Sequence, residues 1–426
     1  MTRYVLIGNG VASTAAIEAI RDKDEEVELS VISKEQHLAY SRPLISYLLG
    51  EEVEEDDMLY RDEEFYEDNN VDLLLETKAE SVNPDENSVT LDNGDEISYD
   101  KLLVATGGTP MVPPVEGSDL NGVFTFTEWK DVRTMRDYMN DHGVQDVAVV
   151  GGGLIGLKTT EALLELGKNV KVVELADRIM ASTFDKKASN LLIPVLEEEG
   201  CDVITEDTIV EILGDERVQG AQLEEGGELD CEMVVFVIGV TPNTEVLEDT
   251  EVDIDKGILV DENMQTSNPD IYAAGDVVEI TDVIAGERRP IAIWPNAQRQ
   301  GEIAGGNMAG GSQKYEGSFA MNSVGVCEIP TISVGLTDPE DEDEYEIMKY
   351  IDEDETVYKK IVLKDDRLVG TIFVNDIDRA GIYTGLVKRE ADVSDFKDKL
   401  LDDDFGLIDI SESYRDELMS GEGIKI

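Results

Sequence analysis

Tyr4-Val5-Leu6-Ile7-Gly8-Asn9-Gly10-Val11-Ala12-Ser13 runs from an apolar tetrad into a glycine turn. Asp146-Val147-Ala148-Val149-Val150-Gly151-Gly152-Gly153-Leu154-Ile155-Gly156 repeats the plan. Outward from the first loop, Ala12, Ala15, Ala16, Ala19 and Ile20 recur at helical spacing, and Val27 to Ile32 supplies a second strand. Outward from the second, a helical stretch runs through Leu166, Gly167 marks its end, and Val170 to Glu174 forms the next strand. The spacing has a physical reason. The first glycine makes the tight turn, the second lets backbone approach a pyrophosphate, and the third permits close helix-strand packing, so that the helix N-terminus offers free N–H groups to the anion. Such a terminus is worth about 0.3–1 kcal/mol to a charge, or ~2 kcal/mol when partly buried. In the first copy Ser13 replaces the third glycine and is small enough to pack. Two β-α-β units of the dinucleotide-binding kind, related by duplication, are therefore expected.

Glu174 closes the second unit, where a carboxylate accepts hydrogen bonds from a ribose 2′-hydroxyl and repels a 2′-phosphate. That favours NADH over NADPH, with Arg178 close enough in sequence to soften the repulsion. In the first unit the strand ends at Ile32-Ser33-Lys34-Glu35, so Glu35 is either the partner of that ribose or a solvated surface glutamate.

The chain has 426 residues, 41% of them hydrophobic, enough for several packed domains and not the composition of a disordered or fibrous protein. Its 35 Lys and Arg stand against 96 Asp and Glu, a net charge of −61. Nucleic acid and anionic lipid are excluded as partners, because neutralising phosphates needs basic clusters. Self-repulsion of this size is relieved by molar salt, which screens charges beyond about 3 Å, so a salt-rich archaeal cytosol is expected. Cys201, Cys231 and Cys327 are far apart and lack C-x-x-C spacing, which predicts neither structural disulfide nor zinc site. Apolar runs such as Met233 to Ile238 are too short to span a bilayer, and the glycine turn at Gly8 leaves no room for a signal peptide, so a cytoplasmic location is expected. An amphipathic helical stretch lies between Val123 and Gly143, and the acidic run Asp338 to Glu344 reads as a solvated linker or loop. Alternation in Val357 to Leu363 and Leu368 to Val374 predicts an antiparallel sheet in a separate C-terminal domain.

With the two glycine motifs, Leu102-Leu103-Val104-Ala105-Thr106-Gly107, Gly239-Val240-Thr241-Pro242-Asn243 and Ile271-Tyr272-Ala273-Ala274-Gly275-Asp276 resemble the FAD-dependent pyridine nucleotide-disulfide oxidoreductase superfamily over roughly the whole chain. The resemblance implies an α/β fold of two nested Rossmann-like domains, one for FAD and one for NAD, plus a C-terminal α+β domain. Its expected boundaries are 1–112 and 241–325 for FAD, 113–240 for NAD, and 326–426 for the C-terminal interface domain. It places Asp276, after Gly275, on the FAD ribitol, and Ala105, Thr106 and Gly107 beside the FAD pyrophosphate. Ala79 borders the adenine, and Gly239 with Pro242 approaches the nicotinamide.

Tyr40-Ser41-Arg42-Pro43-Leu44-Ile45-Ser46 resembles the rubredoxin reductase and NADH-dependent nitrite reductase flavoprotein branch, which carries a basic residue where oxidases, peroxidases and coenzyme A-disulfide reductases place a redox cysteine. A guanidinium forms neither sulfenic acid nor mixed disulfide. Val11 stands where the peroxidases carry histidine. By the same resemblance, Pro295 and Asn296 begin a helix whose N-terminus faces the flavin pyrimidine and offsets its negative charge. Lys158 departs from the pattern, since the superfamily usually has glutamate there; a cation instead raises the flavin potential, engages an acidic acceptor or is simply solvated. Met321-Asn322-Ser323, Tyr358-Lys359-Lys360 and Asp376-Ile377-Asp378-Arg379-Ala380-Gly381 resemble the rubredoxin-reductase C-terminal domain, with its role in dimer or acceptor contacts.

The expected activity is an FAD-dependent NAD(P)H oxidoreductase without a sulfur relay, with Arg42 and Lys158 beside the chemistry. Three readings of its electron output remain open: an iron-sulfur protein or nitrite-reducing partner, oxygen or a quinone or dye, and a non-enzymatic NADH-responsive flavoprotein. His37 and His142 are the only histidines, and hydride transfer asks neither to act as acid or base.

Overall fold

The computed structural model describes residues 2–410 and Arg415. The chain divides into two compact units: Met1–Leu48, Val53–Pro110 and Val240–Ser318 form the first, and Leu49–Glu52, Met111–Gly239 and Phe319–Ile426 the second.

In the first unit a parallel sheet runs in the order Ile271–Ala273, Lys101–Val104, Arg3–Ile7, Glu28–Ile32, Val71–Leu74. Val5, Leu6, Leu102 and Leu103 are wholly buried, as strands covered on both faces must be. From Arg3–Ile7 the chain passes through the helix Val11–Arg21 to Glu28–Ile32 on one side, and later places Lys101–Val104 on the other. This makes a topological switch point, where open parallel sheets bind ligands beyond their carboxyl ends. The pairing ends with Ile7 opposite Val104, so Gly8 and Ala105 leave the sheet side by side.

The second unit repeats this. Its parallel sheet runs Cys201–Thr205, Asn169–Glu174, Asp146–Val150, Met233–Phe236, Val123–Thr125, with Val150 opposite Phe236 at the switch point. Gly151 and Val237 leave that sheet as Gly8 and Ala105 leave the other. The helical stretch expected between Val123 and Gly143 is Trp129–His142, preceded by the edge strand Val123–Thr125. Glu128 caps it and Asp131 reaches back, a capping box that starts the helix only after the β-branched and aromatic segment has joined the sheet.

The C-terminal part is a five-stranded antiparallel sheet, Met321–Val326, Ile329–Gly335, Arg367–Val374, Val357–Lys364, Glu346–Asp352, with the helix Ala380–Lys388 packed on it through Tyr383 and Phe373. Of the linker or loop expected at Asp338 to Glu344, the structure shows a largely exposed loop. It connects two strands of this sheet, and Asp338 is held by ion pairs to Arg178 and Lys360. Among the described residues no helix is long and apolar enough to cross a membrane.

Candidate functional site

The first glycine loop is shaped by close approach. Gly8 has φ +108°, and a Cβ there would lie 2.1 Å from the Ala105 carbonyl oxygen. Its N–H donates to Ile32 O at 2.8 Å, tying the turn to the neighbouring strand. Ser13 is fully buried and its hydroxyl donates to Gly8 O at 2.7 Å, so it closes the loop as well as fitting it. Gly10 caps the helix Val11–Arg21 with no side chain, no acidic residue follows in the first turn, and a Cβ at Gly10 would meet nothing within 4 Å. The loop mouth is thus open backbone at a helix N-terminus. Asn9 accepts the Tyr66 hydroxyl at 2.8 Å, while its side-chain nitrogen is buried without a partner.

Other expected FAD residues gather around this loop. A Cβ at Gly275 would stand 3.5 Å from Ala12 and 3.8 Å from Ala297 of the helix Trp294–Met308. That helix lies backbone to backbone on the loop helix, since a Cβ at Gly301 would come within 2.0 Å of Ala12 O. The Gly275 N–H donates to Gln300 at 2.8 Å. Burial pushes the Asp276 carboxyl above its ordinary value, against the pull of Arg42, and among the described residues it has no hydrogen-bonding partner. Thr106 and Gly107 are locked by Asn243, whose N–H donates to Gly107 O at 2.9 Å and whose backbone oxygen accepts the Thr106 hydroxyl at 2.7 Å. Ala79 opens the strand Ala79–Asn83, opposite Leu91. Pro295 is exposed in the first helical turn, but the Asn296 side chain turns inward: it donates to Ile291 O at 3.2 Å and accepts the Ser318 hydroxyl at 2.7 Å. Only its backbone is left for a ligand.

Arg42 and Pro43 lie in the short turn Arg42–Leu44. The Arg42 guanidinium is ion-paired with Glu35, which also accepts the Tyr40 hydroxyl at 2.7 Å, and it lies over the Tyr40 ring. Glu35, expected either at the ribose or as a solvated surface glutamate, and Arg42, expected beside the flavin, here form one cluster.

The second loop follows the same rules. A Cβ at Gly151, φ +111°, would lie 2.6 Å from Val237 O, and one at Gly156 would lie 1.9 Å from Gly151 O. Gly151 N–H donates to Val173 O at 2.8 Å, as Gly8 does in its own sheet. Gly153 caps the helix Leu154–Glu165 with no side chain and open space beside it. Glu174 accepts from Gly152 N at 2.6 Å with one oxygen and from Ala176 N at 2.7 Å with the other. Leu175 beside it is 68% exposed, and Ile155 and Ile238 are exposed as well, apolar surface of the kind a nucleotide site leaves uncovered. Gly239, φ +119°, accepts from Met111 N at 3.0 Å. Lys158 is ion-paired with Glu161, whose second oxygen accepts the Cys327 N–H at 2.7 Å; its charge is compensated by its own helix.

Two loops with open helix N-termini, a buried Asn9 amide nitrogen and an Asp276 carboxylate that have no hydrogen-bond partner among the described residues fit two phosphate-bearing nucleotides, one carrying a polyhydroxyl chain. Tyr66, Asn243 and Gln300 were missed in the sequence. Of these Asn243 had a signal in the Gly239-to-Asn243 motif and Gln300 in the Ile293-to-Gly301 helix motif, while Tyr66 had none. Burial pushes the thiols of Cys201, Cys231 and Cys327 up to about 12, so none is a ready thiolate. No cluster of metal-ligating side chains occurs among the described residues.

Comparison with known proteins agrees with this geometry. Residues 2–301 match the family described as pyridine nucleotide-disulphide oxidoreductase, and residues 321–391 the rubredoxin NAD+ reductase C-terminal domain. A nitrite reductase [NAD(P)H] of Bacillus subtilis is 33% identical over 92% of this chain and 48% of its own length, so the chain spans about half of that relative. An NADH oxidase of Methanocaldococcus jannaschii is 35% identical over 79% of this chain and 75% of its own. Among solved structures, an NAD-dependent persulfide reductase from A. fulgidus superimposes with a TM-score of 0.86 at 27% identity, covering 93% of this chain and 78% of its own. The chain belongs to the pyridine nucleotide-disulphide oxidoreductase family, a family of FAD-dependent NAD(P)H oxidoreductases.

Proposed function

We propose that the protein is an FAD-dependent NADH oxidoreductase that delivers electrons to an iron-sulfur protein without a redox-active cysteine. The observation that carries this reading is the duplicated cradle, with Gly8 against Ala105 in one sheet and Gly151 against Val237 in the other. When bound, the pyridine nucleotide supplies a hydride and the flavin accepts it.

The residues divide the work. Gly10, Val11, Ala12 and Ser13 present helix N–H groups to the FAD pyrophosphate, Ala105 to Gly107 border it, and Asp276 accepts from the ribitol. Glu35, through Tyr40 and Arg42, orders the loop after the second strand of that sheet, and Arg42 supplies positive charge toward the flavin. Gly153, Leu154, Ile155 and Gly156 hold the NADH pyrophosphate, and Glu174 favours the ribose 2′-hydroxyl. The absence of a thiolate and the guanidinium at position 42 argue against a sulfur relay. The domain boundaries proposed from sequence follow this division, with residues 326–426 as the acceptor-facing or subunit-facing part of a cytoplasmic enzyme.

The match of residues 321–391 to a rubredoxin-reductase domain favours an iron-sulfur acceptor. Stopped-flow mixing in molar KCl tests it: flavin bleached by NADH is reoxidised fastest by rubredoxin or ferredoxin. Equally fast reoxidation by air alone would make the protein an oxidase, and bleaching slower than turnover of any acceptor would leave it a sensor.

A further inference from the structure

Arg178 is the first basic residue after Glu174, and it flanks the second glycine loop. Met180 N–H donates to Gly152 O at 2.8 Å, and the Ile179 side chain would lie 3.0 Å from a Cβ on Gly152. A free guanidinium here would suit a 2′-phosphate, which planar forked donors bind well. It is not free. Nε donates to Phe184 O at 3.1 Å, Nη1 to Asp177 at 2.7 Å and Nη2 to Asp338 at 3.0 Å, leaving the side chain 20% exposed.

Asp177 is local, but Asp338 comes from a loop of the C-terminal sheet, 160 residues away. Asp338 is itself anchored, because its other oxygen is 3.3 Å from Lys360 Nζ. Lys360 is wholly buried and pairs with Asp185 at 2.9 Å, and Asp185 also accepts the Tyr358 hydroxyl at 2.7 Å. A chain of charges that starts at the buried pair Asp185 and Lys360 thus reaches the guanidinium through the more exposed Asp338. A 2′-phosphate would meet Glu174 and would have to displace two carboxylates to reach the cation.

We infer that Asp338 is a positioning residue for nucleotide choice: it holds Arg178 out of reach of a 2′-phosphate, so the C-terminal sheet enforces NADH over NADPH. This rests on the reading that the second loop holds the pyridine nucleotide.

The test uses the FAD-loaded full chain, with steady-state kinetics for both nucleotides and calorimetric titration of 2′,5′-ADP against 5′-AMP. Asp338→Asn lowers the KM for NADPH about tenfold and tightens 2′,5′-ADP to match, while NADH KM and kcat stay within twofold. Adding Arg178→Gln removes the gain. Arg178→Gln alone changes 2′,5′-ADP binding less than twofold, because the arginine is already occupied, and this arm decides the matter should Asp338→Asn fail to fold. Unchanged 2′,5′-ADP binding in Asp338→Asn, a gain that survives Arg178→Gln, or weakened binding in Arg178→Gln alone overturns the inference. Glu174→Gln run alongside separates the two failures. If it leaves NADH KM unmoved, the site reading itself falls; if it raises NADH KM and Asp338→Asn does nothing, only the present inference falls.

Discussion

Glu174→Gln changes one charge and almost no volume, and the structure says what it breaks. One carboxylate oxygen accepts Gly152 N at 2.6 Å and the other accepts Ala176 N at 2.7 Å, so the side chain joins the glycine loop to the segment after the strand. Glutamine can satisfy one amide with its oxygen, but its NH2 then faces the other amide donor to donor. A hydrogen bond to a charged group contributes about 1.5–3 kcal/mol, and here one is lost and the other becomes neutral. If that cost falls on the loop conformation that binds nucleotide, NADH affinity drops about tenfold to a hundredfold, at about 1.4 kcal/mol per decade. The assay is calorimetric titration of NAD+ into the flavin-loaded variant, with flavin content read from its visible spectrum. The expected result is weakened nucleotide binding with full FAD occupancy. An affinity within twofold of the parent would refute the reasoning, and lost FAD would show that the residue serves the wrong nucleotide.

Gly8→Ala places a methyl 2.1 Å from the Ala105 oxygen at a positive φ, so the purified variant should lack flavin absorbance while NAD+ still binds by calorimetry. Arg42→Met is expected to keep FAD and slow its bleaching by NADH about tenfold in stopped flow, the scale of one charge beside developing negative charge; an unchanged rate removes Arg42 from the chemistry. Lys360→Met strands the buried Asp185 carboxylate and should cost about 3–5 kcal/mol in denaturant unfolding near neutral pH. Burial pushes the Asp185 carboxyl up, but hydrogen bonds from Tyr358, the Ala188 N–H and Lys360 outweigh it and hold it below its ordinary value of 3.8. Its contribution is therefore complete above about pH 4 and fades as pH falls through the lower folded value, so parent and variant should converge in acid.

What the sequence revealed depends on how far each interaction reaches. The glycine loops were legible because backbone contact dictates spacing: Gly8 and Gly151 are the only residue type their neighbours Ala105 and Val237 permit. Parallel strands such as Tyr4 to Ile7 announce themselves as unbroken apolar runs. The helix Trp129–His142 is legible from its amphipathic periodicity, while the three-residue strand Val123–Thr125 ahead of its Glu128 cap is too short to show an alternation of its own. Side-chain partnerships across long separations left no trace. Nothing at position 178 points to Asp338, and nothing in Ile293-Trp294-Pro295-Asn296 says that the asparagine turns inward to Ser318. The acidic run expected as a linker or loop is a loop, and what the sequence does not show is that its Asp338 meets Lys360, because only the folded sheet brings the two together.

The central claim is that two duplicated cradles hold two nucleotides and pass a hydride between them with no sulfur relay. Flavin-free protein in molar KCl, titrated with FAD and then anaerobically with NADH, tests it directly. The account predicts one FAD per chain and loss of the flavin colour with one equivalent of NADH, unaltered when all three cysteines are replaced by serine. A protein that takes up no FAD, or one whose bleaching disappears with the cysteines, would contradict it.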